Sequence, residues 1–153
     1  RLEASRLVDC VLTGCDLSGL VLDEGSCARV EFRGCRLSGV QAARGRFKDV
    51  AFVDCRLDGA NFRMTRWERA EFDGCELVEA DLYGADMPGC RFVRCDLSGA
   101  QVSKSNLSGT RFTQSRLDRI SGADALQGIT IGSDQIVPVA LALFTARAIV
   151  VDD

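Results

Sequence analysis

Apolar side chains recur at every fifth residue along most of the chain. Starting at Leu2 and stepping by five, 24 consecutive positions up to Leu117 carry no polar side chain. We call these positions the centres. A second series, two residues before each centre, is apolar or small from Ser5 to Ile120. Since a period of five fits neither an α-helix nor a β-strand, it predicts a chain that bends once in every five residues.

Charged side chains avoid both series. The first 120 residues hold 18 basic and 18 acidic side chains, and none of them lies at a centre or two residues before one. Because an unpaired buried charge is costly, the two series are predicted to point inward and the other three positions of each unit to face water. Ten of the 15 glycines lie two residues after a centre, where a backbone corner favours positive φ.

Residue identity repeats at the longer lag of 20. One column at this spacing holds only phenylalanine from Phe32 to Phe112, and another holds only leucine from Leu17 to Leu117. Columns of like residues 20 apart predict four sides of five residues each, and about six such coils over residues 1–120. The register slips after Leu117, so residues 121–132 are interpreted as an irregular final turn.

Several units resemble the pentapeptide-repeat family, whose repeat reads Ala-Asp/Asn-Leu-x-x. The closest matches are Ala60-Asn61-Phe62, Ala80-Asp81-Leu82-Tyr83-Gly84, Cys95-Asp96-Leu97-Ser98-Gly99 and Ser105-Asn106-Leu107-Ser108-Gly109. The resemblance covers residues 1–120 and implies an all-β solenoid, the right-handed quadrilateral β-helix. Gly25, Ala42 and Gly45 depart from it because they are small, so a bulge or a loosened coil is expected near residues 41–46.

The segment 133–153 is predicted to cap the column. Ser133 is interpreted as an N-cap and residues 134–147 as a helix, with Pro138 tolerated near the first turn. A helix with almost no polar face needs cover on two sides. One side is predicted to close the end of the column and the other to meet a second copy of the chain, although a cap folded within one chain is the alternative. Residues 148–151 could add a short strand. The candidate cap and dimer residues are Ile136, Val137, Val139, Leu141, Leu143 and Phe144.

The sequence offers few residues for catalysis or for binding a metal or cofactor. Without histidine the chain has neither Ser-His-Asp nor Cys-His catalysis, and it lacks the commonest zinc ligand. We predict no catalytic residue, no cofactor and no metal. Seven of the eight cysteines lie in the second inward series and Cys27 is a centre, so they are interpreted as reduced thiols that pack as small hydrophobes in a cytoplasmic protein. Trp67 and Met87, also centres, are interpreted as core residues.

Other features narrow the class of protein. No apolar run approaches the roughly 18 residues of a membrane-spanning helix. The net charge of −3 does not indicate a nucleic-acid-binding protein. Since the first residue is Arg1 rather than methionine, the sequence leaves the natural N-terminus open.

Charge is segregated along the column. Between Arg29 and Arg66 there are nine basic and four acidic residues, whereas the next stretch holds seven acidic residues and one basic residue, Arg69. One interpretation is a protein-binding surface that fixes the register of its partner by charge. The alternative is a solvated surface whose charges serve solubility. The seven carboxylates form the candidate acidic belt: Glu68, Glu71, Asp73, Glu76, Glu79, Asp81 and Asp86.

The expected function is therefore binding rather than catalysis. We predict a protein-binding solenoid with an unknown protein partner. The family resemblance implies an alternative, a protein that binds DNA gyrase or topoisomerase IV and protects them from quinolones by partial DNA mimicry. No face of the predicted column is strongly acidic, so uniform mimicry is poorly supported. An enzyme, the third hypothesis, would need a cleft.

Overall fold

The protein is a single column of stacked coils closed by a helix. A computed structural model describes residues 4–153, so the first predicted centre, Leu2, lies outside the described residues. Six parallel strands pair in chain order, each with the next at a lag of 20, as in Phe32 opposite Phe52. The strands are β1 (Arg6–Thr13), β2 (Ser26–Arg33), β3 (Arg46–Val53), β4 (Arg66–Asp73), β5 (Arg91–Val93) and β6 (Arg111–Thr113).

The column has four sides, which we name after their buried centres in the fourth coil: the Trp67, Phe72, Leu77 and Leu82 faces. Strands β1 to β4 run across the Trp67 and Phe72 faces, whereas single bridged residues at the same lag build the other two faces. Strands β5 and β6 are shorter. On the Trp67 face the chain turns at Pro88–Gly89 in the fifth coil and at Ser108–Gly109 in the sixth, so both strands cover only the Phe72 face. The predicted β-solenoid with a C-terminal helix is confirmed.

The corners of the column share one backbone conformation. Every position two residues after a centre has positive φ, from Ala4 to Arg119, and this includes charged residues as well as glycines. A left-handed residue redirects the chain, so each unit of five contributes one side and one corner. Glycine is therefore favoured at the corners because they need positive φ, as predicted, but other residues also adopt this conformation there.

Both inward series are buried in the middle of the column. Phe72 and Leu77 have no exposed surface. The phenylalanine rings stack almost parallel, with centroids 4.8 Å apart between Phe32 and Phe52 and 4.7 Å apart between Phe72 and Phe92. The stacking follows from the coil spacing of about 4.8 Å, which is that of paired strands. First-coil residues such as Leu7 are only partly buried, since no described coil lies beneath them.

The bulge expected near residues 41–46 is wrong. Gln41 bridges Asn61 in regular register, and the Ala42 N–H donates to the Asn61 carbonyl at 2.9 Å. The small side chain of Ala42 instead leaves a cavity of about 10 Å³ lined only by apolar residues. The coil keeps its path because backbone hydrogen bonds to both neighbours hold it, whatever the size of the centre.

We expect Gly39→Ala to lower the free energy of unfolding by about 1 kcal/mol, because Gly39 has φ of 65°. A Cβ at this position meets no atom within 4 Å, so the loss isolates backbone strain from steric clash. Urea unfolding monitored by circular dichroism measures it. The matched control is Gly39→Asn, which should lose less because asparagine tolerates the left-handed region. An alanine variant as stable as the asparagine variant would contradict the role assigned to this corner.

Candidate functional site

The C-terminal end of the column is closed by a cap that docks onto the last coil. A 3₁₀ turn, Ala123–Leu126, continues the column, and Thr130 bridges Arg111 at the end of the irregular turn. A second 3₁₀ turn, Ser133–Gln135, leads into helix α1, Ile136–Ala146. Val139 and Ala142 are the buried residues of α1. Helix α1 thus lies within the predicted helix of residues 134–147 and is three residues shorter, because the 3₁₀ turn takes its first residues.

Gln135 fastens this cap to the column. Its side chain is 1% exposed, its Nε2 donates to the Ser115 carbonyl at 2.8 Å, and its Oε1 accepts from the Gly132 N–H at 2.8 Å. In the coils beneath, the equivalent carbonyl of Cys95 accepts a backbone N–H from the next coil, from Arg116. Gln135 therefore replaces the backbone donor of a coil that the chain does not build.

The predicted N-cap is wrong in its residue. Ser133 lies inside the 3₁₀ turn and is exposed, and Gly132 precedes that turn. The hydrogen bond at this helix start comes from the Gln135 side chain, which the sequence analysis placed only in the first turn. Its signal was spacing: a glutamine three residues after a glycine at the end of an irregular turn.

The outer side of α1 is apolar and exposed. Of the six predicted cap and dimer residues only Val139 is buried, while Val137 is 66% exposed. Arg147 Nε donates to an Asp124 carboxylate oxygen at 2.8 Å and ties the end of the helix to the column. Large exposed apolar patches on a fixed element mark interaction sites. The exposed residues of this outer face are Ile136, Val137, Leu141, Leu143 and Phe144.

The segment beyond α1 makes no strand. Ala148 has positive φ, and the Ile149 N–H donates to the Phe144 carbonyl at 2.7 Å, which ends the helix. The short strand expected over residues 148–151 is absent from the described chain, because this segment has no neighbouring strand with which to pair. We refer to Ile149–Asp153 as the tail.

The acidic belt encircles the column rather than lying on one face. Its members are spread over all four faces because consecutive units of five turn through successive corners. Asp73 pairs with Arg94 at 2.6 Å and Asp81 with Arg63 at 3.0 Å, each reaching the coil above or below. Glu68 pairs with Arg69 at 2.7 Å. Glu76 pairs with Arg56 at 3.3 Å, so four of the seven belt carboxylates have a basic partner.

Two residues that the sequence analysis did not single out lie beside the belt. The Arg63 guanidinium lies 4.3 Å from the centroid of the Tyr83 ring on the Leu82 face. Tyrosine and arginine are enriched in protein interfaces. The signal available in the sequence was again the lag of 20, because residues 63 and 83 occupy the same position in successive coils.

The cysteines are buried thiols and not a reactive ladder. All eight are free, and only Cys10 and Cys15 are partly exposed. The Cys55 thiol donates to the Phe32 carbonyl at 3.3 Å, and the same contact recurs one coil higher from Cys75 to Phe52. Burial raises the pKa of Cys27 to about 12. A hydrogen bond with the Cys75 thiol lowers the pKa of Cys55, but its sulfur is buried and out of reach of solvent. The six buried thiols therefore offer packing and weak hydrogen bonds.

The described residues show little else that could support chemistry. Residues 4–153 hold no cluster of three acidic or cysteine side chains arranged to bind a metal ion. No helix in the described range is long and apolar enough to cross a membrane. The cavity beside Ala42 is too small and too apolar for a substrate.

Sequence profiles of one family match the chain. The profile "Pentapeptide repeats (8 copies)" matches residues 75–114, and the profile "Pentapeptide repeat region" matches residues 1–62 and 26–86. The chain belongs to the pentapeptide-repeat family. Comparison with curated proteins gives no significant match.

Solved pentapeptide-repeat structures are similar at low identity. Trypsin-treated QnrB1, a plasmid-mediated fluoroquinolone resistance protein, is 20% identical over 99% of this chain and 94% of its own, with a TM-score of 0.36. A protein from the Arabidopsis thaliana thylakoid lumen is 24% identical over 88% and 77%, with a TM-score of 0.42. HetL of Nostoc, involved in heterocyst differentiation regulation, is 16% identical over 87% and 92%, with a TM-score of 0.39. Scores this low carry no argument about function.

We expect Gln135→Leu to destabilise the pentapeptide-repeat cap by about 1–3 kcal/mol, because it leaves the Ser115 carbonyl and the Gly132 N–H without their partner. Urea unfolding and amide exchange of α1 measure the loss. The matched control is Gln127→Leu at an exposed glutamine, which should change little. Equal stability of both variants would contradict the fastening role of Gln135.

We expect only Cys10 and Cys15 to react rapidly with a thiol reagent at about pH 8 in the folded protein, since burial raises the pKa of Cys27 and Cys90 to about 12. Mass spectrometry after iodoacetamide labelling identifies the modified residues. The double variant Cys10→Ser and Cys15→Ser should show no rapid labelling until denaturant is added. Rapid native labelling of Cys55 or Cys75 would contradict the burial of this column.

Proposed function

We propose that this pentapeptide-repeat protein is a non-catalytic, protein-binding solenoid that forms a homodimer through the outer face of α1. One observation carries the proposal: the apolar outer face is exposed on a helix whose opposite side is packed against the column. A helix that is apolar on nearly every side is stable in water only when a second surface covers it. A second copy of the same face is the simplest cover, because a two-fold interface uses one patch twice.

The filled interior supports a binding role over a catalytic one. Centres such as Phe72 and Leu77 fill the interior apart from the small cavity beside Ala42, and the buried thiols are directed at backbone carbonyls. An enzyme of this kind would need a cleft with convergent polar groups and shifted pKa values. The long flat faces instead present side chains in vertical rows, which suits recognition of another protein.

The partner-binding surface is proposed to lie around the acidic belt. Glu71 and Glu79 form no ion pair with a described residue, and the Arg63–Tyr83 contact lies nearby on the Leu82 face. The basic stretch from Arg29 to Arg66 adjoins the belt, so a partner with opposite segregation of charge would be held in one register.

Protection of a type II topoisomerase is the alternative. A two-fold rod built by end-to-end dimerisation would match the symmetry of such an enzyme, which is what favours this reading. The ion pairs that neutralise Asp73 and Asp81 weaken the case for DNA mimicry. Gyrase supercoiling and quinolone-stabilised cleavage, measured with and without the protein, separate the readings. No change in either assay would discard the alternative and leave the binding role standing.

We expect Val137→Asp to convert the dimer to a monomer of 16.6 kDa, because it places a carboxylate in the apolar interface. Size-exclusion chromatography with light scattering measures the mass. The matched control is Val11→Asp, at a valine of similar exposure (61%) on the Phe72 face, which should remain dimeric. A wild-type protein that is monomeric at every concentration would refute the proposed dimer.

A further inference from the structure

The last coil has an open edge on the Leu77 face. In the coil beneath, the Leu97 N–H donates to the Arg116 carbonyl and the Gly99 N–H to the Asp118 carbonyl, both at 2.9 Å. The equivalent donors in the last coil are the N–H groups of Leu117 and Arg119, which have no coil above them. Neither finds an acceptor within residues 4–153.

The same edge also presents an acceptor. The Ala100 carbonyl accepts from the Ser121 N–H at 2.9 Å, as the corresponding carbonyls do in the lower coils. The Ile120 carbonyl occupies this position in the last coil and receives no donor from the described chain. Two N–H groups and one C=O in one row are the hydrogen-bonding edge of a strand.

The cap pairs part of the neighbouring Phe72 face but none of this edge. On the Phe72 face the Phe112 N–H donates to the Thr130 carbonyl at 2.9 Å, and Gln135 serves the Ser115 carbonyl at the adjoining corner. No cap residue does the same for Leu117, Arg119 and Ile120. The N–H groups of Lys104, Leu107 and Gln114 in the last coil also find no acceptor within residues 4–153. The Leu77 edge differs from them in having the apolar wall of α1 beside it.

A cleft lies between this edge and the helix. It has a volume of about 460 Å³ and is lined by Asp118, Arg119 and Ile120 on one side and by Pro138, Leu141 and Ala142 of α1 on the other. The Asp118 carboxylate is paired with Arg116 at 3.2 Å, whereas Arg119 has no such partner among the described residues. The helix residues are spaced at i, i+3 and i+4, so they form one apolar stripe along the cleft. Leu141 lies at the rim of the cleft and also belongs to the exposed outer face of α1. An apolar wall beside unpaired backbone groups is the arrangement that binds an extended peptide.

The tail has the composition of the missing strand. Ile149, Val150 and Val151 are β-branched, and Val150 is 85% exposed. β-Branched residues favour strands. Asp152 and Asp153 follow, and Arg119 at the edge of the cleft is exposed and forms no ion pair with a described residue.

We infer that the tail of a second copy adds to the open edge of the Leu77 face as an extra strand. Its backbone accepts from the N–H groups of Leu117 and Arg119 and donates to the Ile120 carbonyl. Its apolar side chains enter the cleft beside α1, and Asp152 and Asp153 lie near the Arg119 guanidinium. The inference rests on the proposed homodimer and adds to it a reciprocal exchange of tails.

Amide hydrogen exchange in the full-length dimer tests this exchange of tails. We expect the Leu117 and Arg119 amides to exchange at least roughly tenfold more slowly in the wild type than in Val150→Pro, which removes a tail N–H. Rapid exchange of both amides in a wild-type dimer would overturn the inference while leaving the dimer intact. Protection that persists at dilutions where the protein is monomeric would show that each tail returns to its own chain, which also overturns it.

A charge reversal gives an independent test. Arg119→Glu should weaken dimerisation by about tenfold, and adding Asp152→Arg with Asp153→Arg should restore it. The matched control is Arg91→Glu, an exposed arginine on the Phe72 face, which should have no effect. Failure of the tail reversal to rescue Arg119→Glu would argue against contact between the two charges.

A monomeric background separates this inference from the proposed dimer. The Val137→Asp chain, titrated with a synthetic peptide of residues 147–153, should show shifts of the Leu117 and Arg119 amide resonances in NMR spectra. Such shifts would show that the edge recognises the tail even if the α1 interface does not form. Their absence, with a scrambled peptide behaving identically, would overturn the inference whatever the oligomeric state of the wild type.

Discussion

The structure depends on one constraint, which is that each coil must hydrogen-bond to the coil 20 residues away on all four sides. The ladder holds the centres in vertical columns, and the left-handed corners keep each side at five residues. Because the coils are held by backbone groups, the column tolerates large changes of side chain at a centre. Ala42 illustrates this, since it leaves a small cavity where a longer side chain would sit and the coil keeps its path.

The same ladder organises the surface. Residues 20 apart lie one above the other, so the charge of a side chain is set against that of its neighbours in adjacent coils. Arg69 pairs with Asp49 at 2.6 Å, and Arg63 contacts both Asp81 and Tyr83. A count of charge along the chain describes such a surface poorly, because the relevant neighbours are 18 to 21 residues away. The acidic belt is dense in sequence and largely paired in space.

The ends of a stacked column pose a different problem, since the last coil has no successor. This chain solves it in part with Gln135, whose side-chain amide replaces a backbone N–H, and in part with the apolar inner side of α1. The outer side of the helix and the edge at Leu117 and Arg119 remain uncovered. The surfaces available for binding are therefore concentrated at the C-terminal end, where exposed apolar side chains lie close to unpaired backbone groups. The column itself supplies a rigid support.

The amino-acid sequence by itself determined the repeat, the four sides, the inward series and the presence of a capping helix, because burial excludes charge from two positions in every five. It also indicated which α1 residues are apolar, but it misplaced the N-cap at Ser133 and expected a distortion around Ala42. Only the tertiary structure decided that Gln135 closes the corner at Ser115, that four of the seven belt carboxylates are paired, and that the Leu77 face stays open. Periodicity records whether a side chain points inward or outward, whereas hydrogen-bond pairing between distant backbone groups is settled only once the coils are stacked.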